Sequence, residues 1–376
     1  MRFSELTTLG VGGEIPDFIA ATTTSEIVSA ALSARDTGLP VLALGGGSNL
    51  LVSDSGFEGR VIAVRTRGID VDFDAVHASV LAGAGAGAGA GRVRVRVAAG
   101  EDWDEFVSWT IHHGYAGLEA LSGIPGRVGA APIQNIGAYG QEVGNVVHGV
   151  HILDLGTGEL RFLARADLDF SYRDSIFKQG LDAIVLSVEF DLQDVRESHL
   201  SRPIEFAQLS SALRVELGEQ VSLQSVRDAV LTLRRSKGMV LDALDPDTRS
   251  AGSFFVNPIV TSRFAGTLPI DAPRYPLSDD TRDRILEIGA DVPPLAEPGL
   301  VKLSAAWLIE NAGIPRGFSL PGSRASVSSK HTLALTNRGG ASAEEVAALA
   351  RYVRSMVQSH FGVLLQPEPV LVGMEL

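Results

Sequence analysis

The stretch Leu44-Gly-Gly-Gly-Ser-Asn-Leu-Leu-Val52 carries the first recognisable chemistry: an apolar strand, Val41 to Leu44, empties into Gly45, Gly46 and Gly47, followed by Ser48, Asn49 and Leu50. Glycines lift the Cβ barrier to unusual backbone angles, so successive N–H groups can converge on one anion while Ser48 and Asn49 add side-chain donors. An ordinary strand-to-loop turn would use the same residue types. A second stretch, Ser122 to Gly140, holds five glycines and two prolines in nineteen residues with almost no charge. It is too apolar for a solvated loop and too interrupted for a helix or strand. Its small or apolar residues, among them Ser122, Gly123, Ile124, Pro125, Gly129, Ala130 and Gly137, let backbone approach a flat, bulky ligand. Gln134 and Asn135 can address heterocycle edges through paired donors and acceptors.

Three further polar residues stand out. Ser253, between a glycine and two phenylalanines, is a hydrogen-bonded core hydroxyl or a reactive group in an apolar pocket. No Gly-x-Ser-x-Gly elbow surrounds it, which argues against a hydrolase nucleophile. Glu368 lies between Pro367 and Pro369, so it is held on a stiff extended segment, as a solvated terminal acid or as a group that orients a reaction. Arg173 can pair on the surface with Asp174. Arg234, Arg235 and Lys237 end a predicted helix, where the dipole favours positive charge and where a phosphate would also find cations. His112 and His113 point apart on a helix and read as helix-end structure, with no metal site.

The elements that must position these groups follow from pattern. Thr23 and Glu26 form a capping box before a periodic run (Ile27, Ala30, Ala31, Ala34) that Gly38 ends. Two alternating segments, 71–76 and 92–97, predict a hairpin whose tip is the Ala-Gly repeat 82–91, read as low-complexity filler. Helices are predicted over 102–113, 222–237, 303–312 and 343–361, the last opened by Ser342 and Glu345 and closed by Gly362. Strands are predicted near 146–155, 183–192, 253–260 and 332–336. The fold class expected is α+β, mixed α/β, in two lobes. Their boundary is placed in the polar stretch 193–203: a lobe over 1–200 with subdomains at about 1–65 and 66–200, and a second over 201–376.

Composition bounds the function. With 376 residues, 32 basic and 45 acidic, the net charge is −13, which disfavours wholesale binding of nucleic acid or anionic membrane. No cysteine is present, excluding thiolate nucleophiles and cysteine-ligated metals. No signal pattern opens the chain and no apolar stretch approaches about 18 residues, so a soluble cytoplasmic protein is expected.

The two glycine-rich stretches together resemble the FAD-binding half of the UDP-N-acetylenolpyruvoylglucosamine reductase (UDP-N-acetylmuramate dehydrogenase) family. The likeness continues at Tyr172-Arg-Asp-Ser-Ile-Phe-Lys178, Ala251-Gly-Ser-Phe-Phe-Val-Asn-Pro258, Val301-Lys-Leu-Ser-Ala-Ala-Trp-Leu-Ile309 and Gln366-Pro-Glu-Pro369, in the family's order. It implies a PCMH-type FAD-binding lobe, the cofactors FAD and NADPH, and a role in cell-wall precursor synthesis as a monomer acting on a small-molecule substrate. It also implies two half-reactions at one flavin: NADPH reduces FAD, and hydride then passes to the vinyl carbon of the enolpyruvyl ether. Ser253 matches the family's proton donor, and Arg173 and Glu368 match groups that stabilise and orient. By the same matching, Tyr139, Tyr172, Arg234, Lys237, Asn257, Tyr275 and His331 face the substrate, with Lys302 and Lys330 as further cations.

There are departures from the family pattern. Phe206 stands where many members have a tyrosine, His331 where glutamine is expected, and the loop 238–250 is long. Two rivals are a flavin oxidase of the same fold and a catalytically inactive nucleotide-binding scaffold. The absence of cysteine, and of histidine in either glycine-rich stretch, argues against a covalently tethered flavin. The joint presence of Ser253, Arg173 and Glu368 argues against a scaffold. No Gly-x-Gly-x-x-Gly fingerprint separates NADPH from NADH.

Overall fold

The computed structural model describes residues 1–72, 91–276 and 299–376. Apart from Gly91, the Ala-Gly repeat lies outside the described residues. Near the N-terminus the predicted capping box forms: the Thr23 hydroxyl accepts from the Glu26 N–H at 3.2 Å, and Glu26 Oε2 accepts from the Thr23 N–H at 3.2 Å. The helix Thr24–Asp36 buries Ile27, Ala31 and Ala34, and packs on a parallel sheet ordered Asp17–Ala21, Arg60–Val64, Val41–Leu44. Val41–Leu44 ends at Gly45, so the sheet fixes where the glycine run starts.

A second, antiparallel sheet runs Leu160–Ala164, Val147–Asp154, Ala183–Asp194, Gly91–Ala98, Ile69–Asp72. Of the expected hairpin, Val71 and Asp72 pair with Val95 and Arg94, and residues 73–76 lie outside the described residues. Val93, Val95 and Val97 point into the core, while Arg94 and Arg96 pair outward with Asp191 and Glu189. Asp102 caps the helix Trp103–His112, which buries Trp103, Phe106, Val107 and Ile111. His112 and His113 place Nδ1 2.7 and 2.8 Å from the carbonyls of Ser108 and Trp109, the helix-end role expected.

The helix Leu223–Ser236 buries Leu223, Val226 and Val230; the latter two pack with Ala120, Ile204 and Leu209. Arg227 locks it to the helix Trp103–His112 by donating to both Asp104 carboxylate oxygens at 2.7 and 2.8 Å. The helix Ala343–Phe361, with its Ser342–Glu345 box and Gly362 at φ +67°, packs Val346, Leu349, Val353 and Val357 against Phe254, Phe255, Leu308 and Ile309. Leu9, Val11 and Leu51 from the N-terminal part of the chain join that core. Phe254 and Phe255 are at most 1% exposed, and each such burial contributes roughly 1.5–3 kcal/mol, which fastens the segment carrying Ser253. Val370–Val372 then pairs in parallel with Leu50–Val52, returning the chain to the glycine run.

Two expected strands are shorter than predicted. Of 253–260 only Ile259 and Val260 are in a strand, Ile259–Thr261; upstream, Gly252 has φ +73°, Pro258 lacks an N–H, and Asn257 Oδ1 is taken by the Ala305 N–H at 2.9 Å. Of 332–336, Leu335–Asn337 pairs with Ala325–Val327, because the Ala334 N–H turns back to the His331 carbonyl. Among the described residues no helix is long and apolar enough to cross a membrane.

Candidate functional site

Glu368 is the focus. Its N–H donates to the Phe254 carbonyl at 2.9 Å, and Phe255 bridges Pro367, so the segment after Ser253 lies directly against the segment carrying the carboxyl. Glu368 Oε1 stands 3.5 Å from Arg173 Nε and accepts from Gln134 Nε2 at 3.0 Å. The side chains of Arg173 and Glu368 are only 18% and 14% exposed. Burial pushes the Glu368 carboxyl above its ordinary range, while Arg173, Lys178 and the Gln134 hydrogen bond pull it down. The surface pairing of Arg173 with Asp174 does not form; Asp174 instead accepts from Gln179. Arg173 Nη2 donates to the Gly137 carbonyl at 2.6 Å and Nη1 to that of Asn135 at 3.4 Å. Asn135 and Arg173 have φ of 48° and 56°, strained for non-glycine residues, and both border this corner; Tyr139, at 50°, shares the strain.

Tyr172 extends the corner on the other side. Its hydroxyl accepts from Asn257 Nδ2 at 3.3 Å, and Lys302 Nζ lies 4.6 Å from its ring centre. Lys302 is pulled down by burial and by Arg173, against Glu142, and pairs across the sheet with half-exposed Tyr275. A separate basic cluster surrounds Tyr139. Lys237 Nζ is 5.6 Å from that ring and donates to Gln208 at 2.9 Å, and Phe206 meets the ring edge-on at 5.8 Å. Arg234 donates to the Met239 carbonyl at 2.9 Å, but its buried Nε has no partner among the described residues. Burial and the neighbouring Lys237, Arg316 and Arg234 push His331 down to about 4, so its imidazole is neutral. Lys330 is held by Asp245 at 2.5 Å, away from this cluster.

The two glycine-rich stretches meet. Ser48 Oγ donates to the Pro125 carbonyl at 2.9 Å, and a Cβ on Gly46 would fall 2.7 Å from Gly126 Cα. Gly47 has φ +62°. Among the described residues no protein group accepts from the N–H of Gly46, Gly47 or Ser48, leaving three successive donors for an anion. This cradle fits a dinucleotide's phosphates. In the second stretch some side chains are spent internally: the Ser122 hydroxyl donates to Glu119, Gly123 donates to Asp104, and the Asn135 amide is consumed by Glu142, Ser171 and Gly144. Asn135 therefore offers a ligand its main chain and no free amide. Ile124 packs against the main core, and the Gly129 N–H donates to Ala99.

Comparison with known proteins identifies the family. Residues 245–372 match the model of the UDP-N-acetylenolpyruvoylglucosamine reductase C-terminal domain, and residues 16–164 that of an FAD binding domain. The UDP-N-acetylenolpyruvoylglucosamine reductase of Leifsonia xyli is 51% identical over 99% of this chain and 98% of its own. The chain belongs to this reductase family. The Thermobifida fusca enzyme of the same name is 47% identical over 99% of this chain and 97% of its own. The crystal structure of the Thermus caldophilus reductase superposes with a TM-score of 0.61 at 25% identity, covering 99% and 97% of the two chains. As a member of the family, the chain is an FAD-dependent oxidoreductase.

The tie from Gln134 and Asn49 to Glu368 carries no sequence signal. Gln134 and Glu368 stand 234 positions apart, and nothing in either local pattern names the other.

Proposed function

We propose that this protein catalyses the NADPH-dependent reduction of UDP-N-acetylenolpyruvoylglucosamine to UDP-N-acetylmuramate in peptidoglycan precursor synthesis. The observation that carries the reading is the meeting of Arg173, Glu368 and the Ser253 segment beside the crossed glycine loops. Gly45–Asn49 and the backbone of 122–137 would hold FAD, which when bound takes hydride from NADPH and supplies it to the enolpyruvyl carbon. The Ser253 Oγ–H would protonate the carbon next to the carboxylate; among the described residues this hydroxyl makes no hydrogen bond that would compete. The Arg173 guanidinium, always charged, would stabilise the developing enolate oxygen, and Glu368 would orient it. Arg234, Lys237 and Tyr139 would take the pyrophosphate, with Tyr172, Asn257, Lys302 and Tyr275 on the opposite wall. By the family resemblance the enzyme would act as a monomer, in the cytoplasm.

A spectral experiment tests the reading. The purified protein should show a flavin band that NADPH bleaches without oxygen and that the enolpyruvyl sugar nucleotide restores. Recovery with oxygen alone, and not with that substrate, would point to an oxidase and overturn it.

A further inference from the structure

We propose that Asn49 and Gln134 form a one-way hydrogen-bonded relay that positions the Glu368 carboxyl, so that the phosphate-side glycine loop sets the state of the reacting corner. Asn49 Nδ2 donates to Gln134 Oε1 at 2.6 Å, and Gln134 Nε2 donates to Glu368 Oε1 at 3.0 Å. The direction is fixed, because a carboxylate can only accept, which forces the Gln134 amide to turn its oxygen to Asn49. The same Asn49 amide reaches the Glu368 carbonyl at 3.3 Å, and the Asn49 carbonyl accepts from the Val370 N–H at 3.0 Å. Asn49 thus reaches the Glu368 carboxyl through Gln134 and holds the main chain directly on both sides of Pro369. The charged groups acting on the carboxyl are Arg173 and Lys178, so Gln134 is its neutral donor.

The inference rests on the role given to Glu368 above, and the test separates the two. Substrate-dependent flavin reoxidation is measured in single turnovers across pH. Glu368→Gln should abolish one limb of the profile; if it abolishes none, the reading of Glu368 fails whatever Gln134 does. Gln134→Leu should move that limb upward by about one to two pH units and slow the step about 10- to 100-fold, the range expected for losing a hydrogen bond to a charged group. A limb left in place by Gln134→Leu overturns the relay. Independently of turnover, the melting temperature difference between Gln134→Leu and wild type should widen as pH rises through the titration of Glu368, and be flat in the Glu368→Gln background. A difference independent of pH in both backgrounds marks Gln134 as structural only and also overturns the relay. Should Gln134→Leu fail to fold, Gln134→Asn, which withdraws the amide by one methylene, reads the same shift.

Discussion

The two cationic corners of the site differ in what their charges meet. Arg173 faces a carboxylate at 3.5 Å and spends further N–H groups on the carbonyls of Asn135 and Gly137. Arg234 and Lys237 have no ion pair among the described residues, and the acid whose field reaches Arg234, Asp104, is committed to Arg227. Both cations are half-buried with only neutral partners, so an arriving anion would relieve a charge held partly out of water. Burial accordingly pulls both Arg234 and Lys237 below their ordinary range. One corner thus meets its own counter-charge, and the other meets none among the described residues.

Four substitutions would break or sharpen that contrast. The largest effect is expected at the paired corner: Arg173→Ala should lower kcat of the substrate half-reaction on the order of 10²- to 10³-fold, read by stopped-flow reoxidation of the flavin. An equal loss in flavin reduction by NADPH would contradict its place there. Ser253→Ala should slow the same step by at least about a hundredfold, with bleaching by NADPH retained. The unpaired corner should respond differently. Arg234→Met is expected to raise KM about 10- to 100-fold with kcat changed far less, and to raise the melting temperature of the ligand-free protein by relieving the buried charge. A fall in melting temperature would show that Arg234 is structural.

The smallest effect concerns His331. Its folded pKa, about 4, lies below the ordinary imidazole value of 6.5, so its contribution to stability is present above pH 6.5 and is lost as pH falls through 4. His331→Gln should therefore flatten the acid limb of a melting-temperature profile between those values, and an unchanged limb would assign the loss to other groups.

Local rules made most of the frame legible. The capping boxes at Thr23 and Ser342, the glycine stop at Gly362 and the Val-Arg alternation of 92–97 each report a bond or a buried face within a few residues. The first glycine run alone fits an ordinary turn as well, and it was the second, uncharged run that made the pair readable. Where tertiary partners decided, the sequence was silent or misleading. The β-like run after Ser253 is irregular because Asn257 caps a helix from elsewhere in the chain. The amide of Asn135 looked free for a ligand, yet its strained backbone and three internal hydrogen bonds serve the loop. The pairing of Arg173 with Glu368, in place of its neighbour Asp174, follows from where the Val370–Val372 strand lands, and no short-range pattern encodes that.

The seam between Leu50–Val52 and Val370–Val372 is three residues long and joins segments more than 300 positions apart. Leu51, Val52 and Val372 are buried, and this three-residue pairing is the strand contact that brings the Glu368 segment to the glycine run. Its fraying would withdraw the acid from the guanidinium while both glycine loops still stood. On gentle warming, turnover should therefore fade while the preparation is still yellow, with amide exchange at Leu371 and Val372 rising in step.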